Sequence, residues 1–308
     1  MRAIAPYGEE VRRATDTLLV ERSGDLVAGR YRIMDLIGVG TTGSVWVAEQ
    51  MALRTRVVVK FHETGFDGEE DGSEGLLRFL REARLLASVR HRNVSEHYES
   101  GTTAAGEPYL IMEHLRGETL EERIEWAGKL PLREAFRTVT GIAAGLEALH
   151  NAEILHRDIK PEHIILHNTA DETGVVPKLI DFGFARGIVN KGIPITGFGT
   201  SVVGTPGYMS PEQSEGRSDL DGRTDQFSLG VCLYRMLTGN LPIEGESDEE
   251  LALGQLKPSA LTELLGVPGL RLPAAENVLR MLRSDRRERF PDSRAMRLAL
   301  ERVGETLE

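Results

Sequence analysis

The sequence predicts an α+β fold with segregated elements: a small antiparallel-sheet part carrying one main helix, then a larger helical part. Three observations carry this. Short β-branched runs broken by glycine fill the first third, helical periodicity dominates after about residue 116, and no internal repeat is present. A length of 308 residues suits one two-lobed domain or two small ones, and 40% hydrophobic with 28% charged residues is ordinary for a globular protein.

Residues 1 to about 28 hold few apolar residues and mixed charge, and read as an N-terminal extension on which Val11, Leu18 and Leu19 form only a weak helical face. A domain is expected over 29–303, with its sheet part at about 29–112, its helical part at about 113–303, and a tail at 304–308. YRIMDLIGVG, SVWVAEQ and TRVVVKF alternate in the manner of antiparallel strands. The acidic, glycine-rich stretch that follows, with an insertion at 63–75, reads as a solvated loop. Leu76 to Arg90 then shows a helical apolar stripe with arginines outside it, and PYLIMEHL is a further strand. Beyond it, ETLEERIEWAG, LREAFRTVTGIAAGLEALHNA, TDQFSLGVCLYRMLTG, PAAENVLRMLRS and DSRAMRLALERV have helical periods. LHNTADETGVVPK (Leu166 to Lys178) reads as a second insertion at a loop, where extra length costs little.

Composition excludes some classes. A net charge of −11, from 37 basic and 48 acidic residues, argues against a nucleic-acid-binding surface. The single cysteine, Cys232, cannot form an intrachain disulfide and fits a reducing compartment. No run of about 18 apolar residues marks a transmembrane helix, and the N-terminus lacks the apolar core of a signal peptide. A cytoplasmic location is therefore expected.

Gly38, Gly40 and Gly43 have G-x-G-x-x-G spacing, which lets backbone N–H groups approach phosphates with no Cβ in the way. A dinucleotide-binding fold would open a helix at the third glycine; SVWVAEQ is strand-like, so this loop caps a hairpin. Lys60 ends the VVVK run, 17 residues beyond Gly43. Glu82, on the 76–90 helix, could hold its ammonium extended toward phosphates, and the bland reading of the two is an edge lysine and a solvated helix residue. Asp158 lies in HRDIKPEHIIL and Asp181 opens DFG. One is suited to accept a proton and the other to bind a metal ion, the equipment for moving a phosphoryl group onto a hydroxyl.

The order and spacing of these motifs resemble the protein kinase family, specifically the bacterial (Hanks-type) serine/threonine branch, from about Tyr31 to Val303. The resemblance implies a two-lobed fold, ATP and Mg²⁺ as cofactors, and a protein substrate phosphorylated on Ser or Thr. It implies Asp158 as general base, Lys160 neutralising charge on the transferring group, and Asp181 as metal ligand. Ile37, Val45, Val58 and Ile165 would enclose the adenine, with Met112 controlling access behind it and Glu113 and Leu115 offering backbone hydrogen bonds. GTPGYMSPE resembles the substrate-docking segment: Thr205 would face Asp158 and Lys160, and Glu212 would pair with Arg289, or failing that Arg286. Asp225 would hold the catalytic-loop backbone, and Arg157 would pair with a phosphorylated loop residue, for which Thr200, Ser201 and then Thr196 are candidates. Autophosphorylation in the 184–209 loop would proceed in trans within a homodimer.

His163 departs from the pattern, standing where the loop normally carries a second metal ligand, Asn. Neutral imidazole offers one acceptor nitrogen and suits Mn²⁺ or Zn²⁺ better than Mg²⁺. The expectation is lowered activity that is better in Mn²⁺; the bland alternative is a tolerated replacement with water completing the metal shell. Two other functions compete. One is a nucleotide-binding pseudokinase scaffold, motivated by His163. The other is a small-molecule phosphotransferase, against which the glycine loop and the SPE segment (Ser210 to Glu212) argue.

Overall fold

The structure is a computed structural model, and it describes residues 22–40, 43–62, 83, 86–169, 174–181, 186–187, 204–245, 247, 250–251 and 256–307. The chain divides into two compact units, Met1–Ser88 with Glu96–His114, and Val89–Ser95 with Leu115–Glu308.

Unit 1 is a six-stranded antiparallel sheet. Its strands are β1 (Leu26–Val27), β2 (Tyr31–Gly40), β3 (Gly43–Gln50), β4 (Thr55–His62), β5 (His97–Thr102) and β6 (Pro108–Glu113), in the order β1-β2-β3-β4-β6-β5. Period-two alternation gives the sheet one apolar face. Trp46, Ala48, Val57, Val59, Phe61, Tyr109 and Ile111 bury there with Val27, Tyr31 and Ile33. The Trp46 ring is fully buried, and its N–H donates to Ser44 Oγ at 2.9 Å, so no indole donor is stranded. The sheet begins at Leu26, inside the expected extension, because Val27 has a place in this core. Of the expected 76–90 helix, Ala83 and residues 86–90 are described; 83 and 86–88 are helical, and Val89 and Arg90 lie outside the helix.

Unit 2 is mainly helical. Its helices are α1 (Leu120–Ala127), α2 (Leu132–Asn151), α3 (Pro211–Ser214), α4 (Gly222–Thr238), α5 (Ala260–Leu265), α6 (Leu272–Met281) and α7 (Ser293–Glu305). Short strands accompany them: β7 (Gly117–Thr119), β8 (Ile154–Leu155), β9 (Ile164–Asn168), β10 (Val175–Leu179) and β11 (Arg186–Gly187). They form two small antiparallel sheets, β10-β9-β7 and β11-β8. The expected loop insertion at 166–178 is thus mostly a hairpin, in which β9 and β10 pair from Ile164–Leu179 to Asn168–Val175.

α1 starts at a capping box, where Thr119 and Glu122 satisfy each other's backbone N–H groups. Its Trp126 is 64% exposed, with Arg123 stacked on the ring and the indole N–H bonded to Glu118. α2 buries Phe136, Val139, Ile142, Leu146 and Leu149 along one stripe, which packs on α4, α7 and β10. α4 is buried on nearly every side, so it is the centre of unit 2; Asp221 caps its start and Gly239, in the left-handed region, ends it. Among the described residues, no helix is long and apolar enough to cross a membrane.

Candidate active site

The loop carrying Asp158 is pinned to the first turn of α4. Asp225 accepts from the N–H groups of His156 (3.0 Å) and Arg157 (2.9 Å), and lies 2.7 Å from His150 Nε2. Burial raises the Asp225 carboxyl, but the bond and charge of His150, with further help from His156, bring it below the ordinary aspartate value. Ser293 on α7 lies 2.7 Å from His150 Nδ1 and fixes that ring in turn. The sequence reading missed His150 and Ser293, since their role depends on packing α2 and α7 against α4. Arg157 and Asp181 have φ values of +69° and +57°, so a non-glycine residue holds a left-handed conformation on each side of the site. Such positions cost about 1–3 kcal/mol and persist only where surroundings fix them, as Asp225 does at Arg157.

Asp158, Lys160 and Thr205 form one hydrogen-bonded group. Lys160 Nζ donates to Thr205 Oγ1 at 2.8 Å, and Thr205 Oγ1 donates to Asp158 Oδ1, also at 2.8 Å. Lys160 Nζ lies 3.6 Å from the other oxygen, Oδ2. Gln213 Nε2 donates to the Arg157 carbonyl at 2.8 Å, tying the start of α3 to the same loop. Gly204 allows the approach: at φ +137°, a Cβ there would sit 2.6 Å from Met209 Cγ.

His163 closes the 3₁₀ turn Pro161–His163 and stands between the two aspartates. Its Nδ1 is 2.7 Å from the Asp158 carbonyl oxygen and its Nε2 is 3.7 Å from Asp181 Oδ2. A carbonyl only accepts, so Nδ1 carries the proton and Nε2 presents a lone pair on the Asp181 side. Burial holds this imidazole below its ordinary value against the pull of Asp181 and Asp158, which keeps it neutral. An imidazole lone pair and a carboxylate oxygen side by side fit a divalent cation. Among the described residues no three His, Cys, Asp or Glu side chains gather into a protein-only cage.

In unit 1 the register places the other site residues on one face. Val45 stands opposite Lys60, Lys60 opposite Leu110, and Val58 opposite Met112. With Val45 and Val58 at partner and i+2 positions, these side chains occupy the sheet face opposite the Trp46 core. β2 ends at Gly40 and β3 begins at Gly43, so the glycine loop does cap a hairpin. Ile37 is exposed. The Glu113 N–H donates to the Glu96 carbonyl. Leu115 and Ile165 belong to unit 2. Glu82, Thr196, Thr200 and Ser201 lie outside the described residues.

Arg289 donates through Nη1 (2.6 Å) and Nη2 (2.8 Å) to Glu212, and both side chains are almost completely buried. Burial raises the Glu212 carboxyl, and Arg289 overrides it and holds the group below its ordinary value. Arg286 instead pairs with Asp219 and Asp221.

The protein kinase domain family matches residues 31–291, and the chain belongs to that family. Its relatives include bacterial serine/threonine-protein kinases. It is 34% identical over 273 residues to a probable serine/threonine-protein kinase PknB of Bifidobacterium longum, covering 86% of this chain and 38% of that protein. It is 33% identical to serine/threonine-protein kinase PksC of Streptomyces coelicolor (88% and 48% covered) and 32% identical to PknB of Mycobacterium tuberculosis (90% and 43%). The chain thus spans about half or less of the length of the curated relatives it matches.

Proposed function

We propose that this chain is an ATP-dependent serine/threonine kinase domain that phosphorylates proteins, and the hydrogen-bonded group of Asp158, Lys160 and Thr205 carries the reading. Asp158 takes the proton of the acceptor hydroxyl, or orients that hydroxyl, as it attacks the γ-phosphate. Lys160 stabilises charge on the transferring group, and Thr205 seats the Ser or Thr acceptor. Lys60 holds the α- and β-phosphates under the Gly38–Gly43 loop. In unit 1, Ile37, Val45, Val58, Met112 and Glu113, and in unit 2, Leu115 and Ile165, are the residues that the family resemblance assigns to the adenine. ATP is the phosphoryl donor, and a domain that draws on ATP is assigned to the cytoplasm.

Asp181 and His163 would hold a divalent cation, which neutralises the polyphosphate when bound. An Asn amide offers an NH₂ donor group and a carbonyl acceptor, and the Nδ1–H tautomer of His163 offers one donor and one acceptor on opposite edges of its ring. That arrangement does not favour the inactive-scaffold alternative. It does supply a nitrogen ligand, so Mn²⁺ supports transfer better than Mg²⁺. His163→Asn is expected to move the preference toward Mg²⁺, and an unchanged Mg²⁺ rate and unchanged Mn²⁺ binding would remove this part of the reading.

Transfer of labelled γ-phosphate to a generic protein tests the function. Asp158→Ala should lower the rate by about 10²–10⁴-fold. Transfer to a metabolite but never to protein would instead indicate a small-molecule enzyme. Autophosphorylation in trans, at Thr200, Ser201 or Thr196, predicts that wild-type chain labels the Asp158→Ala chain when the two are mixed.

A further inference from the structure

Arg235 lies in the last turn of α4, away from the Asp225 end that holds the loop of Asp158. Its Nη1 and Nη2 grip both carboxylate oxygens of Glu121 on α1, at 2.5 and 2.6 Å. The same Nη1 donates to the hydroxyl of Tyr208 at 2.5 Å. All three side chains are mostly shielded: Arg235 is 21% and Glu121 17% exposed, and Tyr208 is buried. Burial pushes the Tyr208 hydroxyl far above its ordinary range, so it remains a neutral phenol able to accept from the arginine.

Tyr208 is joined to the site by backbone. Its N–H donates to the Thr205 carbonyl at 3.0 Å, and the N–H of Met209 donates to the same oxygen at 3.2 Å. The turn is short and doubly bonded, so the position of the Tyr208 ring sets that of Thr205. Thr205 Oγ1 is in turn the atom shared by Lys160 and Asp158. Gln213 holds the segment from its other end, through the Arg157 carbonyl.

We propose that Arg235 is a positioning residue for the acceptor side of the reaction: it clamps Tyr208 between α1 and α4 and thereby holds Thr205 against Asp158 and Lys160. The pair's polarity follows from the helices. Glu121 stands in the first turn of α1 and Arg235 in the last turn of α4, each at the end whose dipole favours its charge. Reversing the charges keeps every link, since a glutamate at 235 accepts from the Tyr208 hydroxyl and pairs with an arginine at 121. Both charges then meet the unfavourable helix ends, so the reversal should restore the clamp incompletely.

The kinetic test rests on the proposed kinase activity; the exchange test does not. In Arg235→Met, amide hydrogen exchange at Tyr208 and Met209 should quicken by about tenfold or more, while core amides of α2 and α4 keep their protection. In the doubly substituted Glu121→Arg, Arg235→Glu chain most of that protection should return. With a protein acceptor, Arg235→Met should raise the acceptor KM by about tenfold and leave the KM for ATP within about twofold, and the charge-reversed chain should recover most of the loss. Unchanged exchange at Tyr208 and Met209 in Arg235→Met, or a charge-reversed chain no better than the single variant, overturns the clamp. A wild-type chain that transfers no phosphate yet shows the exchange pattern overturns the kinase reading and supports the clamp.

Discussion

The Thr205 hydroxyl uses both its capacities at once, accepting from Lys160 and donating to Asp158. Thr205→Ser keeps the hydroxyl and is expected to transfer phosphate at close to the wild-type rate. Thr205→Val keeps the shape, removes the 2.8 Å partner of the Lys160 ammonium, and should lower kcat/KM by about tenfold or more in steady-state assays. Glu212 and Arg289 make a harsher case, because either one alone is a buried, uncompensated charge. Glu212→Ala should lower the free energy of unfolding by about 3–5 kcal/mol in urea denaturation. The family resemblance pointed to Thr205 beside Asp158 and Lys160, and to Arg289 ahead of Arg286 as the partner of Glu212, and the structure brings these side chains together. The tautomer of His163 was not legible in the sequence: the letter at position 163 suggests a lost ligand, and only the placement of the Asp158 carbonyl against Nδ1 shows which edge of the ring faces Asp181.

At the level of elements, legibility followed the strength of the periodic signal. β2, β3 and β4 alternate cleanly because one sheet face is core, and α2 and α4 have long apolar stripes. β5 was missed because HYESGT has almost no apolar alternation; its residues are half-buried or exposed on a sheet edge, where its strand partner is β6. The β9–β10 hairpin was read as a loop because TADETG hides the strands flanking it, and their pairing is a non-local fact. Gly43 gives an element-scale prediction. At φ +130° a Cβ would lie 1.9 Å from the Phe61 carbonyl oxygen, where β3 meets β4. Gly43→Ala should therefore prise the strands apart at this point, costing about 1–3 kcal/mol in chemical denaturation from the backbone conformation alone.

Over the whole molecule, acid should be the sensitive variable. Glu212, Asp221 and Asp225 all have folded-state values below ordinary carboxyls, each held down by neighbouring Arg or His groups against burial. Depressed values add stability that is present above the ordinary carboxyl range, about 4, and lost as pH falls through the lowered folded values. The urea midpoint should thus hold near neutrality and begin to fall below about pH 6.5, where His91, His156 and His163 resist protonation because burial lowers them. It should fall further below about pH 4, that second fall being less steep in a chain with Glu212→Gln and Arg289→Met together.

The chain's two tryptophans are divided between the units, Trp46 sealed in the sheet core of unit 1 and Trp126 open to solvent on α1. Light emission therefore carries two addresses. The buried indole emits at shorter wavelength and moves red only when its sheet opens, whereas Trp126 is already surrounded by water. Replacing Trp126 with Phe leaves a single lamp inside unit 1, whose colour reports the melting of that unit alone.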